Sequence, residues 1–95
     1  MERTRRQRIL DILVLGWHSV RDISQALGLS ERDVLGHLVH VERGLRREKG
    51  FQVEAARCAS CDFSFAKRSR IRAPSRCPVC RGTRIHGPRF RVGPV

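Results

Sequence analysis

Carboxylates are scarce in this sequence. Nine Asp and Glu stand against 20 Lys and Arg in 95 residues, giving a formal net charge of +11. The few acids fall mostly at the starts of expected helices, so paired-carboxylate chemistry has little to draw on, and no P-loop or nucleophile elbow is present. The chain is read as a non-enzyme. Long apolar runs are missing as well: no stretch of 18 apolar residues exists, which excludes a membrane-spanning helix. The basic start, Met1–Arg8, leads into apolar residues only from Ile9 to Leu15, with Asp11 among them and no small-residue cleavage site, unlike a secretory signal. A reducing, cytoplasmic location is expected, where clustered cysteines bind metal more often than they form disulfides.

The basic residues are almost all arginine, 18 of the 20. Arginine presents a planar fork of donors that suits phosphate oxygens and guanine edges. The charge is unevenly spread. Residues 1–50 hold ten basic and seven acidic groups, a net of +3, and residues 51–95 hold ten and two, a net of +8. A one-signed excess in half of a small chain favours a polyanionic partner, although a merely solvated surface would carry the same count.

Three helices are expected in the first half. Ile9, Ile12 and Leu13 share one face of the first, with Leu10 and Val14 on an adjoining face, and Gly16 ends it. Its apolar surplus calls for a cover, either a strand of the same chain or a dimer contact; the intrachain cover is expected. Ser19 and Asp22 form a capping pair before Val20, Ile23 and Leu27, and Gly28 supplies the left-handed turn that follows. Ala26 is small enough for a close helix crossing. Ser30 and Asp33 open the third helix, whose buried stripe is Val34, Leu38, Val41 and Leu45, with Gly44 and Gly50 marking its weakening and end. The tight Gly28-Leu29-Ser30 turn makes a helix-turn-helix, with Ile23, Ala26, Leu29 and Val34 as its interlocking core. A plain three-helix bundle is the competing reading. The outward face of the third helix carries Arg32, Gly36, His37, His40, Arg43 and Arg47, side chains suited to a major groove. Trp17 is expected to be buried without a functional role.

The second half is organised by cysteine. Cys58-x-x-Cys61, fifteen intervening residues and Cys77-x-x-Cys80 are two knuckles that can close a four-thiolate tetrahedron. Four thiolates leave no open position, so the site is structural. Two disulfides or a rubredoxin-type iron centre would use the same sulfurs. Phe63 and Phe65 alternate with polar residues as in a half-buried strand, and Ile71 and Ile85 could join them. Four apolar residues are too few to hold this segment, and zinc, worth roughly 10–16 kcal/mol in small metal-dependent modules, makes up the deficit. Flanking the knuckles, Phe51, Val53 and Ala55 alternate on one side and Phe90 and Val92 on the other. Paired antiparallel, they form the wing of a winged helix and cover the first helix. The fold class is thus α+β, a winged helix-turn-helix (1–57 and 88–95) with a four-cysteine zinc ribbon (58–87) inserted in the wing.

At this level the sequence resembles a family of small predicted transcriptional regulators, largely archaeal, with a winged helix-turn-helix and a rubredoxin-like zinc ribbon in the wing. The resemblance rests on Asp33-Val34-Leu35-Gly36-His37-Leu38, Cys58-Ala-Ser-Cys61-Asp-Phe63-Ser-Phe65, Pro74-Ser75-Arg76-Cys77-Pro78-Val79-Cys80 and Ile85-His86-Gly87-Pro88-Arg89-Phe90. It covers nearly the whole chain and implies DNA binding. Asp62 and Arg81 stand where glycine commonly follows each cysteine pair, a glycine that lets backbone amides reach the thiolates.

The expected function is double-stranded DNA binding in transcription regulation. Arg32, His37, His40 and Arg43 would read bases, and Arg47, Arg68, Arg70 and Arg72 would hold phosphates. A docking module for transcription-machinery proteins and an RNA-binding role are the alternatives. The latter is weakened because only Phe63 and Phe65 could stack on bases. One Zn²⁺ per chain, bound by Cys58, Cys61, Cys77 and Cys80, is the expected cofactor.

Overall fold

A computed structural model of the chain describes residues 4–45, 50–66 and 71–93. Helix α1 (Arg5–Leu15) is opened by Thr4, whose hydroxyl accepts from the Gln7 amide while the Gln7 side chain accepts from the Thr4 amide, a reciprocal capping box. Gly16 ends it, as the sequence implies. A two-residue strand, β1 (His18–Ser19), leads into α2 (Val20–Leu27), where Ser19 and Asp22 form a second capping box. The Ser19 backbone amide, donating to Asp22, holds that carboxyl below its usual range. Gly28 takes the left-handed conformation at φ 67°, and the turn is pinned by Ser24, whose carbonyl accepts from the Leu29 amide and whose hydroxyl donates to the Leu29 carbonyl. The Ser30 hydroxyl accepts from the Asp33 amide at the start of α3 (Glu31–Leu45). Gly44 lies within the last turn of α3, as its place before Leu45 in the expected stripe requires.

The wing forms as the alternating patterns require. Strand β2 (Phe51–Glu54) pairs antiparallel with β5 (Arg89–Val92), Phe51 opposite Val92 and Glu54 opposite Arg89. β5 also pairs with β1 on its other edge, so the sheet order is β1-β5-β2 with β5 in the centre. Gly50 is fixed by this closure. Its φ is 91°, a Cβ there would lie 1.9 Å from the Gly93 carbonyl oxygen, and the Gly93 amide donates to the Gly50 carbonyl. Between the wing strands the ribbon adds its own small sheet, β3 (Arg57–Cys58) with β4 (Ile85–His86).

The core lies between helices and wing. Ile9, Leu13, Ile23, Val34, Leu38 and Phe90 are fully buried, and Phe51 stacks on Phe90 with ring centroids 6.1 Å apart. Several expectations are corrected here. Ala26 is exposed, so the interlocking core is Ile23, Leu29 and Val34 alone. The wing covers only part of the surplus on α1: Val14 and Leu15, in its last turn, remain 63% and 83% exposed. Trp17 is half-buried, not sealed, with the Arg91 guanidinium 6.0 Å above its ring, at the outer limit of a cation–π contact. Phe63 and Phe65 do not form a strand; they meet edge-to-face at 5.1 Å, with a single bridge between Arg57 and Ser64.

Ile71 departs furthest from expectation. It does not join the ribbon's phenylalanines but is buried in the same cluster as Ile9, Leu38 and Phe90. A ribbon side chain thus plugs the helical core. Truncating a buried isoleucine removes its transfer energy and leaves a cavity. Ile71→Ala should therefore destabilise the whole molecule by about 2–4 kcal/mol in denaturant titration. Val79→Ala, at a ribbon position 65% exposed, should stay within about 0.5 kcal/mol of the parent.

Candidate metal centre and nucleic-acid surface

The two knuckles bring the four sulfurs of Cys58, Cys61, Cys77 and Cys80 within 4.8 Å of one another. Cys58 Sγ lies 3.5 Å from Cys80 Sγ, and Cys61 Sγ lies 3.6 Å from Cys77 Sγ. Those separations are far too long for disulfides, whose bond is about 2.05 Å. They approach the edge of about 3.8 Å that a tetrahedron with Zn–S distances of about 2.3 Å requires. Cys58 and Cys77 are buried and Cys61 and Cys80 exposed, one of each per knuckle, so the ion site sits just under the surface. The donor set fits Zn²⁺ in a structural role: four soft thiolates, a closed shell and no position for substrate.

The exposed face of α3 runs through Arg32, Gly36, His40 and Arg43, opposite the buried Val34, Leu38 and Val41. His37 lies on the flank and is half-buried, with its Nδ1 sealed from solvent and without a hydrogen-bond partner among the described residues. Its ring therefore offers a partner only Nε2. On the ribbon, Arg72 is exposed. Arg47, Arg68 and Arg70, expected at phosphates, lie outside the described residues. Other arginines are taken up within the fold. Arg89 Nε donates to Glu54 across the wing at 2.9 Å, Arg57 lies 3.8 Å from Asp62, and Arg91 covers Trp17.

Residues 4–53 match the family model described as PF0610-like, N-terminal, and residues 55–94 match the PF0610 rubredoxin-like zinc beta-ribbon domain. The chain belongs to the PF0610-like family. Among solved structures it is similar to the solution NMR structure of protein PF0610 from Pyrococcus furiosus, at 26% sequence identity and a TM-score of 0.76. That match covers 100% of this chain and 96% of the other. No curated protein matches the chain.

Within this PF0610-like ribbon, Asp62 and Arg81 do not cost the knuckles their geometry. Both adopt the left-handed conformation that glycine would, at φ 63° and 60°. Their amides donate to the carbonyls of Cys58 and Cys77 at 2.9 Å, and the Val79 and Gly82 amides reach the sulfurs of Cys77 and Cys80 at 3.4 Å. Backbone amides still face the thiolates, and the departure is absorbed as backbone strain. The thiols are far from equivalent. The Cys61 and Ser60 amides hold Cys58 down to about 6 against burial. At Cys61 the Phe63 amide likewise favours the thiolate, but burial and the neighbouring sulfurs outweigh it and push the thiol up to about 12. Cys80 is raised too: the Gly82 amide favours its thiolate, but the Cys58 sulfur and burial outweigh it. A divalent cation reverses this resistance, since it favours all four thiolates together.

Three outcomes follow for the purified protein. Metal analysis should find one zinc per chain, and Cys77→Ser should lose it. Zinc should be retained near neutrality and released on acidification, because protons compete for the same thiolates; a colorimetric zinc indicator would report this. Arg81→Gly should stabilise the zinc-loaded protein by up to about 1–2 kcal/mol, the left-handed penalty it removes, and Asp62→Gly by less, since Asp tolerates that conformation better. Denaturant titration of the two variants checks the order.

Proposed function

We propose that the protein is a sequence-preferring binder of double-stranded DNA and a transcription regulator acting in the cytoplasm. In this reading α3 enters the major groove, and the ribbon serves as a basic extension of the wing. The winged helix-turn-helix comprises residues 1–57 and 88–95 and the zinc ribbon residues 58–87. Arg32, His40 and Arg43, with the Nε2 edge of His37, read bases, while Arg72 holds phosphates together with Arg47, Arg68 and Arg70.

The supporting observation is Gly36. It stands in the middle of the exposed Arg32–Arg43 stripe in ordinary helical conformation, and a Cβ added there would meet nothing within 4 Å. Among the described residues nothing asks for glycine at this place, and glycine costs about 1 kcal/mol against alanine in a helix. Close approach of a partner's backbone accounts for it. A protein-docking role is the second reading. It is favoured by Val14, Leu15 and Val79, three large apolar side chains left on the surface. An RNA role gains nothing, because Phe65 is buried and Phe63 is half-buried in edge-to-face contact with it.

Two glycines separate the first two readings. Gly44 is also helical and open, but lies off the stripe, toward the His37 flank. Gly36→Ala and Gly44→Ala should each stabilise the protein by about 1 kcal/mol. Only Gly36→Ala should weaken binding to a duplex selected from a random pool. His40→Ala or Arg43→Ala should cost about 1–3 kcal/mol on that site, and Arg72→Gln should lower the salt slope on every duplex by up to about one unit. Failure to select any duplex, with zinc loaded, sinks the DNA reading in favour of docking.

A further inference from the structure

A cleft of about 430 Å³ opens where the ribbon meets the helices, and nothing described above uses it. Its volume lies within the range of about 300–1,000 Å³ typical of small-molecule sites. One wall is the start of α2 with the first turns of α3; the other is residues 71–73 of the ribbon together with β4 and the two residues after it. Its lining is chemically divided. Val20 and Leu35 come from the helices and Ile71 and Ile85 from the ribbon, all partly or fully buried, and they make an apolar interior. Arg21 from α2 and Arg72 from the ribbon also line it, both exposed and without an ion-pair partner among the described residues. Glu31 is the carboxylate among the lining residues, so the lining keeps one net positive charge from these three groups.

We infer that this cleft binds a small amphipathic monoanion, an apolar body carrying one carboxylate or phosphate group. The body would lie against Val20, Leu35, Ile71 and Ile85, and the anionic group would meet Arg21 and Arg72. An apolar interior alone would accept any greasy molecule, and two arginines alone would accept any anion. Their combination in one cleft selects a ligand that has both parts. Because the two arginines belong to different modules, an occupant joins the ribbon to the helices. Arg72 is shared with the proposed duplex contacts and Arg21 is not, so Arg21 and a titration without DNA test the cleft by itself.

The test is a titration of the zinc-loaded, isotope-labelled protein with octanoate, followed by amide shifts at Val20, Leu35, Ala73 and Ile85. Saturable shifts at these positions are expected. 1-Octanol, the same chain without charge, and inorganic phosphate, the charge without a chain, should each bind at least about tenfold more weakly. Arg21→Gln should weaken octanoate at least about fivefold. Ala73→Trp, an exposed lining position, should fill the cleft and abolish the shifts. Octanol binding as well as octanoate would reduce the cleft to an unselective apolar groove, and phosphate binding as well would make it a plain phosphate seat. Either result overturns the inference. So does the absence of saturation by low-millimolar octanoate, or saturation that tracks Val14 and Leu15 instead.

Discussion

Four sulfur atoms drawn within 4.8 Å of one another are an unstable arrangement without a cation. Burial and mutual proximity push Cys61 and Cys80 toward the neutral thiol, while backbone amides hold Cys58 as thiolate. Zinc resolves the conflict, and the ribbon needs it, since among its described residues the buried side chains other than the cysteines are Phe65, Pro74 and Ile71, and Ile71 is spent on the helical core. The dependence extends beyond the ribbon. Ile71 lies between the two knuckles in sequence but is buried with Ile9, Leu38 and Phe90. A collapsed ribbon would withdraw that side chain and leave a hole in the helical core. Ile71 is thus one link between the ribbon and the helix-turn-helix, and the two share a core through it.

The arrangement of the arginines sharpens the charge argument. Ten basic residues in the second half suggest a broad phosphate-binding surface. Arg57, Arg89 and Arg91 are engaged with Asp62, Glu54 and Trp17 instead. Exposed ion pairs of this kind add at most about 1 kcal/mol each, so their effect lies mainly in orientation: they turn three guanidinium groups onto the wing and knuckle. Arg76, Arg81 and Arg84 stay exposed beside the knuckles, and Arg72 stays exposed where the ribbon meets the helices. Composition counts charge; pairing decides where it can be used.

What could be read from the sequence was local or strongly patterned. The Ser19–Asp22 and Ser30–Asp33 spacings gave the helix starts, the alternation of Phe51 with Val53 and of Phe90 with Val92 gave the wing, and the cysteine spacing gave the metal centre. The misses are residues whose fate depends on distant packing. Ala26 has the size for a helix crossing, but no helix crosses there. Val14 and Leu15 carry the hydrophobicity of a core without a neighbour to cover them. β1 is two residues long and has no periodicity to detect; it exists because β5 offers it an edge. Ile71 has no pattern around it at all, and only the path of the ribbon loop brings it to the helices. The cleft beside it was invisible for the same reason, since its two walls come from segments some 50 residues apart.

The position of β5 governs how this molecule can assemble. It is the middle strand of the β1-β5-β2 sheet, it supplies the fully buried Phe90, and α1 packs against it. Yet it is made after everything it joins, including the ribbon. During synthesis the helices must wait with one side of their core open until residues 89–92 emerge. The intervening ribbon shortens that wait in space if not in time. Once the knuckles close on a metal, β3 and β4 are held side by side, and the loop that separates β2 from β5 contracts to the few residues flanking them. Since the entropy of closing a loop rises with its length, an early metal-bound ribbon brings the central strand to its place at lower cost. The insertion that interrupts the wing in sequence is, for the growing chain, the clasp that closes it.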